Sequence, residues 1–284
     1  MSKFYCLYNS RLSDSLNVQE RIKLLKESCN KHGIEFILID ESTADFSSLP
    51  IPISDDALYN CARGSYLLES RLINRNVKSF YRNYPLYSQR DDSNFLCMEL
   101  EKNKVPIPKT IFKGTNNTEL LNQYVIQLKN FPIVIKTYGG TGGHGVIKID
   151  NYQTLYSVSD FLISKGIDFQ LKEFICSSFC YRVCVLGNEV IYTAKRPIKK
   201  NDFRNNIVSD KSEFIEASNP IKDLAIKASH NANLNFSGVD IITCERTNTN
   251  YVLEVNCPQD FAIHQMYLDI NISDLMIKYL FNLK

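Results

Sequence analysis

Apolar residues recur along this chain with two periods, and the alternation between them sets out the elements. Lys3 to Tyr8 is a short apolar run of strand length. Val18, Ile22, Leu24, Leu25 and Cys29 then recur at helical spacing until His32-Gly33 ends the pattern, and Glu35-Phe-Ile-Leu-Ile-Asp40 reads as a second buried strand. A strand, a helix and a strand imply a parallel pair. Pro50 and Pro52 interrupt the chain, Ala57 to Cys61 has strand character, and Tyr66, Leu67, Leu68, Leu72 and Ile73 mark another helix. Residues 1–90 thus form a small open α/β layer with a half-Rossmann-like arrangement. Arg63-Gly64-Ser65 follows the third strand, where loops at the carboxyl ends of parallel strands bind ligands; an ordinary turn with a solvated arginine fits equally.

Beyond a boundary near Arg90 the pattern changes. Asp91 to Lys104 has helical spacing through Phe95, Leu96, Met98 and Leu100, and Val105-Pro-Ile-Pro108 ends it. Thr118 to Leu128 is an amphipathic helix with capping candidates at Asn116 to Thr118, and Asn151 to Lys165 is another, stopped by Gly166. Between them, Phe131-Pro-Ile-Val-Ile-Lys136-Thr-Tyr-Gly139-Gly-Thr-Gly-Gly143-His-Gly145-Val-Ile-Lys-Ile149 predicts strand, glycine loop, strand. Gln170 to Ile175 is a strand that turns irregular. Cys180 to Val185 and Glu189 to Ala194 pair around Leu186-Gly187-Asn188 as a hairpin, whose exit carries Lys195, Arg196, Lys199, Lys200, Asp202 and Arg204. Pro220 to Asn231 is helical, and Phe236 to Ile242 and Tyr251 to Pro258 are apolar strands joined around Asn248 to Asn250.

Composition narrows the classes. With 44% hydrophobic and 23% charged residues the chain is an ordinary globular protein. Its 33 basic and 31 acidic residues are interspersed, which argues against a nucleic-acid stripe. No apolar run approaches the ~20 residues that span a bilayer, and Met-Ser-Lys-Phe-Tyr-Cys is too short an apolar start for a signal peptide, so no membrane partner and a cytoplasmic location are expected. The nine cysteines are scattered without framework spacing, as reduced, buried thiols are. Cys176, Cys180 and Cys184 recur every fourth residue, yet no CxxC pair or neighbouring histidine supports a zinc site.

The chemistry concentrates in three places. In the glycine loop, Gly139, Gly140, Thr141, Gly142, Gly143, His144 and Gly145 let backbone N–H groups close on anionic oxygens, while Lys136 on the preceding strand supplies a fixed charge. The spacing is neither the Walker pattern nor the dinucleotide fingerprint, since no Gly-Lys-Ser/Thr follows and a strand rather than a helix comes next. The irregular, polar segment around Arg204 suits an anion. Asp240 and Glu254 interrupt apolar strands; paired across their turn, the two carboxylates share one face with Asn256, a hard-oxygen set of the kind Mg²⁺ prefers.

The ordered set (strand lysine, glycine loop, Gln-x-Lys-Glu hinge, Asp-Phe-Arg-Asn-Asn segment, Gly-Val-Asp and Leu-Glu-Val-Asn) resembles the ATP-grasp superfamily, within it the RimK-like amino-acid and peptide ligases. The resemblance covers Val105 to Lys284 well and the first ninety residues loosely. It implies an α/β (α+β) ATP-grasp fold: a pre-ATP-grasp domain (1–90), a central lid subdomain (91–178) and a C-terminal metal and substrate subdomain (179–284), with nucleotide between the last two. It implies ATP-driven ligation of a carboxylate to an amine through an acylphosphate, on amino-acid or peptide substrates, with a homo-oligomer admitted. It further implies that Lys136 and the glycine loop hold phosphates, with Lys195 in support, and that Lys172, Glu173, Phe174 and Ile175 line the adenine pocket, Glu173 and Ile175 chiefly through backbone. Asp240, Glu254 and Asn256 would hold Mg²⁺, with Mn²⁺ as a substitute, and Arg182 and Arg204 would contact phosphate or carboxylate. Three departures stand out: Asp92 is followed by Ser93 where the family carries a second nucleotide lysine, the ribose-binding acid after the hinge is replaced by Cys180-Tyr181, and Cys257-Pro-Gln-Asp-Phe replaces Ser-Pro-Gly, which makes Asp260 and His264 specificity candidates. A hydroxyl kinase and an inactive nucleotide-binding module are the alternative readings.

Overall fold

A computed structural model of the chain describes residues 1–13, 15–62, 64–83, 93–139, 143–198, 202–204 and 212–283, the side chains of 93–95 excepted. The first layer is a parallel sheet in the order β2-β1-β3, built from β1 (Lys3–Tyr8), β2 (Glu35–Asp40) and β3 (Ala57–Asn60). The helix α1 (Leu16–Lys31) crosses between β1 and β2. Ser15 caps it by accepting from Val18 N–H, and Val18, Ile22, Leu25 and Cys29 form its buried stripe. The short helix α2 (Tyr66–Leu72) follows β3.

The second layer begins after α3 (Ser93–Lys102) with β4 (Thr110–Ile111), α4 (Thr118–Gln127), β5 (Ile133–Thr137), β6 (Val146–Ile149), α5 (Tyr152–Ser164) and β7 (Phe169–Glu173). Its strands form an antiparallel sheet ordered β4-β7-β5-β6. Asn117 and Asn151 cap α4 and α5, whose Leu121, Val125, Leu155 and Leu162 bury one face of the sheet through Ile133, Ile135, Ile149, Phe169 and Leu171. Strand alternation then sends Val134, Lys136, Gln170 and Lys172 to the opposite face.

The third layer contains β8 (Phe179–Leu186), β9 (Glu189–Pro197), β10 (Glu213–Ile215), α6 (Asn219–Asn231), β11 (Phe236–Thr243), β12 (Asn250–Asn256), α7 (Ala262–Tyr267) and α8 (Ile272–Phe281), with its strands antiparallel in the order β10-β9-β8-β11-β12. Segment 78–83 laces this sheet to the first one: Leu58 N–H donates to Lys78 O at 2.8 Å, Asn235 N–H to Phe80 O at 2.7 Å and Arg82 N–H to Asn233 O at 3.0 Å. The helix α8 completes the joint. Its Ile272, Met276, Ile277 and Leu280 share one core with Phe4, Leu25, Cys29, Phe80, Phe236 and Phe261, and Asp274 accepts from Lys31 at 3.0 Å and pairs with His32 at 2.8 Å.

The structure corrects two details. Lys195 and Arg196 lie within β9, which continues to Pro197 because β8 pairs beside it to that point, Cys180 opposite Arg196 and Phe179 opposite Pro197. The sequence reading placed no helix after Pro258, although the spacing of Ile272, Met276, Ile277 and Leu280 is helical. The boundary near Arg90 lies outside the described residues. Among the described residues no helix is long and apolar enough to cross a membrane.

If α8 is the joint between layers, Ile277→Ala will lower stability by about 2–5 kcal/mol through transfer and cavity terms, read as a shift of the urea midpoint. An unchanged midpoint would show that this core is not shared.

Candidate active site

β5 and β6 form a hairpin in register from Ile133 opposite Ile149 to Lys136 opposite Val146, and Thr137 N–H closes it on Gly145 O at 2.9 Å. At the close, Gly145 has φ +75° and a Cβ there would lie 2.0 Å from Thr137 Oγ1, so a side chain is excluded on both counts. Gly139 and Gly143 also have positive φ, and His144 is exposed. Gly140, Thr141 and Gly142 lie outside the described residues.

On the open face of the same sheet, Lys172 stands opposite Val134, two residues along from Lys136. Lys172 is buried, and its ammonium pKa is lowered, chiefly by burial and also by the charge of Lys136, with Cys97 and Glu254 acting the other way. Lys172 on the second sheet thus feels both Lys136 of its own sheet and Glu254 of the third. Glu173 points elsewhere: its carboxylate takes the Lys129 ammonium, and its N–H donates to Lys109 O at 2.8 Å, which removes that donor from the recognition of a base. Phe174 meets Phe203 edge-on at 6.2 Å with the Lys148 ammonium 5.5 Å from its ring centroid, and Ile175 is buried against Ile242 and Cys244.

The third sheet supplies the acids. Arg182 on β8, Asp240 on β11 and Glu254 on β12 are direct register partners, one row across three strands. Arg182 Nε donates to Asp240 Oδ1 at 2.6 Å and Nη2 to Oδ2 at 2.8 Å, and Asn256 Nδ2 donates to the same Oδ2 at 3.2 Å. Burial opposes the charge of Arg182, but Asp240 outweighs it and the guanidinium titrates above its ordinary value. Three N–H groups thus occupy three of the roughly four lone-pair positions of a carboxylate. Capacity remains on Asp240 Oδ1, beside Glu254, and the donor set fits a hard cation. Both arginine candidates are already paired: Arg182 as described, and Arg204 with Asp202 through Nε at 2.9 Å and Nη2 at 2.7 Å. The Lys195 ammonium lies 4.0 Å from the centroid of the Phe179 ring. Lys199 and Lys200 lie outside the described residues, as do Asp92 and the side chain of Ser93.

One residue that the sequence reading named only as part of the Cys257-Pro-Gln-Asp-Phe loop, without a role, ties this row to the loop after β12. Gln259 is fully buried; its Oε1 accepts from Arg182 Nη1 at 3.0 Å, and its Nε2 donates to Tyr192 Oη at 2.7 Å and Asp260 O at 2.8 Å. The amide lies so close to β11 that a Cβ on Gly238 would fall 1.8 Å from Oε1. A glycine in the middle of a strand is the signal that could have announced such an approach. Asp260 Oδ2 accepts from Asn17 Nδ2 on α1. His264 stacks on Tyr192 at 4.8 Å, and its Nδ1 is 3.1 Å from Asp260 O, so the neutral ring donates there and accepts from Arg196 at Nε2. Burial, then the positive charge of Arg196, lowers the His264 pKa to about 4. Cys180 and Cys184 are pushed up to about 12 by burial, and among the described residues no group of three histidine, cysteine or acidic side chains is placed to hold a metal ion.

The model of the RimK-like ATP-grasp domain matches residues 91–280. A probable alpha-L-glutamate ligase of Legionella pneumophila (strain Corby) is 29% identical over 197 residues, 67% of this chain and 63% of the relative. A ribosomal protein bS6–L-glutamate ligase of Salmonella paratyphi B is 31% identical over 152 residues, 52% of this chain and 50% of the relative. The chain therefore spans less than two thirds of the length of these curated relatives. Among solved structures, the ATP-grasp ligase PsnB complexed with a minimal precursor superposes with a TM-score of 0.71 at 18% identity over 99% of both chains, which shows a shared fold.

Two outcomes are expected. Gln259→Leu strands Arg182 Nη1 and takes its donor from the Tyr192 hydroxyl, which keeps a long bond of 3.5 Å to Asp260 O, a loss of about 1–3 kcal/mol for an unsatisfied buried group, to be read from urea unfolding; an unchanged midpoint would mean that the amide is dispensable. The second concerns pH. His264 titrates at about 4 when folded against 6.5 ordinarily. Between these values the unfolded chain binds about one proton more, so stability is full above 6.5 and falls as pH drops toward 4. His264→Gln will flatten that part of the stability–pH curve, and an equal slope in both proteins would contradict the assignment.

Proposed function

We propose that this chain, which belongs to the RimK-like ATP-grasp family, is an ATP-dependent ligase that joins a carboxylate to an amine as ATP is converted to ADP and phosphate. The observation that carries the reading is the charge arrangement between the second and third sheets: Lys136 and Lys172 on one wall, Glu254 beside the Arg182–Asp240 pair on the other. Lys136 and the N–H groups of the glycine hairpin bind the polyphosphate, and Lys172 adds a second cation where the chain has Ser93 in place of the family's lysine. Lys172 with the hinge around Phe174 receives the base. Asp240, Glu254 and the amide oxygen of Asn256 hold Mg²⁺, which when bound neutralises charge on the phosphates.

The phosphoryl group passes to the substrate carboxylate, and the acylphosphate so formed is attacked by the amine, with phosphate leaving. Excluding water from that intermediate falls to the glycine hairpin, which closes over it as a lid. Arg182 orients Asp240 through two hydrogen bonds, and Gln259 orients Arg182. The names of the relatives suggest an amino acid, glutamate first, as the amine, and a peptide or protein as the carboxylate.

The test is to incubate the protein with ATP, Mg²⁺ and a panel of amino acids and peptides, following ADP release and product mass. A product lighter by one water than its summed parts is expected; a phosphorylated product formed without amine would replace the ligase reading by a kinase. Glu254→Gln is the cleaner variant because Asp240 also carries the buried pair with Arg182. It should lower turnover at least about a hundredfold, a loss of roughly 2.7 kcal/mol, while leaving the melting temperature in place. Near-normal turnover would remove Glu254 from the metal set.

A further inference from the structure

The wall that carries the acids holds one more guanidinium. Strand alternation puts Tyr192, Ala194 and Arg196 of β9 on the face that carries Arg182, Asp240 and Glu254, because Ala194 is the register partner of Arg182 and Arg182 that of Asp240. Arg182 and Arg204 are each paired with an aspartate. Arg196 is not: it is half-buried, and among the described residues its one hydrogen bond runs from Nη2 to His264 Nε2 at 3.4 Å. A guanidinium has five N–H donors in a planar fork. Nε and Nη1 of Arg196 stay unbonded among the described residues, and neither is sealed from solvent.

His264 fixes where this fork lies. Its ring stacks on Tyr192 and meets Phe214, the β10 partner of Ala194, edge-on at 6.1 Å, which places it over Ala194, between Tyr192 and Arg196. The guanidinium that reaches it is therefore drawn toward the end of the Ala194–Arg182–Asp240 row. The Cys180 thiol, opposite Arg196, feels the charges of Asp240, Arg196 and Arg182 together, so the three groups surround one point of the face. Because the His264 Nδ1–H is given to Asp260 O, Nε2 acts as an acceptor and the ring is neutral. It holds the guanidinium without cancelling its charge, whereas Asp240 cancels that of Arg182.

We propose that Arg196 is a specificity-determining residue for the amine substrate: it clamps an α-carboxylate and so selects a free amino acid over the amine of a peptide. The inference rests on the ligase reading. The carboxylate to be phosphorylated must reach the transferred phosphoryl group between Lys136 and the acid row, and β9 stands two strands away from Asp240, about 10 Å across the sheet. That is the reach of the second substrate. Its nitrogen attacks the acyl carbon, and the α-carboxylate of an amino acid lies one carbon beyond that nitrogen. An amino acid placed so brings a negative charge to a guanidinium that has no counter-ion among the described residues. A peptide amine would leave it unmatched.

The test uses the full chain loaded with ADP and Mg²⁺ and titrated by calorimetry with L-glutamate and L-alanine, each beside its α-amide, isoglutamine and alaninamide. At least one acid is expected to bind about tenfold or more tighter than its amide, the difference that a charge-assisted hydrogen bond makes. Arg196→Met should bring that acid down to the level of its amide and leave the affinities for the amide and for ADP in place. Arg196→Lys, which keeps the charge without the fork, should fall between, and the exposed control Lys26→Met should match the parent. In the product assay Arg196→Met should raise KM for the amino acid about tenfold with KM for ATP unchanged. The proposal is overturned if the parent binds acids and amides alike, if Arg196→Met weakens both equally, as a structural residue would, or if KM for ATP is what moves. Ligation by the parent with the same acid-to-amide preference in Arg196→Met removes this site and leaves the ligase reading. Arg196-dependent binding of an acid without product from any carboxylate removes the ligase reading while the carboxylate site stands.

Discussion

The site depends on one buried ion pair. Asp240 and Arg182, with side chains 4% and 13% exposed, sit on adjacent strands of the five-stranded sheet. Each would be costly alone, since removing one partner of a buried pair leaves an uncompensated charge worth about 3–5 kcal/mol. The fold meets this by register: β8, β11 and β12 run antiparallel so that arginine, aspartate and glutamate fall in one row. Arg182 neutralises Asp240, leaving Glu254 as the acid whose charge is felt across the gap by Lys172. The pair is thus both part of the core and the reason two carboxylates can stand side by side on neighbouring strands.

Gly238 and Gln259 extend the same constraint. A guanidinium that gives two N–H groups to Asp240 has further donors to satisfy, and the Gln259 amide accepts one of them from Nη1, an approach to the strand that Gly238 allows. The amide's other end reaches Tyr192, on which His264 stacks. Through Asp260 and Asn17 the loop also meets α1 of the first layer. A run of hydrogen bonds and ring contacts therefore connects the acid row to β9 and to the N-terminal layer.

Much of the fold could be read from the chain because its signals are local. The strand–helix–strand start, the Asn-capped α4 and α5, and the glycine hairpin each follow from spacing and turn chemistry within a dozen residues. What escaped depended on partners distant in sequence. The extension of β9 to Pro197 is set by Phe179 of β8, eighteen residues back, and the meaning of α8 lies in a core shared with Phe4 and Phe236. For the site, the pairing of the Asp240 and Glu254 strands could be anticipated from the turn at Asn248, but their direct facing needs the register shift between Asp240 and Ile241, without which Asp240 would stand opposite Leu253. That Arg182 binds Asp240 and that Glu173 turns to Lys129 could not, because both rest on which strands become neighbours. Gln259 was hidden for the same reason: nothing in Cys-Pro-Gln-Asp-Phe says that an arginine seventy-seven residues earlier will be waiting for an amide oxygen.

The electrostatics of the cleft point to what would complete it. Burial lowers the pKa of Lys172 and the charge of Lys136 adds to the effect, so the cationic wall is unfavourable as it stands. Across from it, Asp240 and Glu254 are neighbouring carboxylates, of which, among the described residues, only Asp240 has a guanidinium in contact. A polyphosphate carrying a divalent ion has the opposite charges in the matching order, anionic oxygens toward the lysines and a cation toward the acids. A neutral ligand would relieve neither wall, and a bare polyanion would relieve only one. The charge pattern therefore favours the nucleotide and the metal together over either alone, which is the requirement of phosphoryl transfer to a carboxylate.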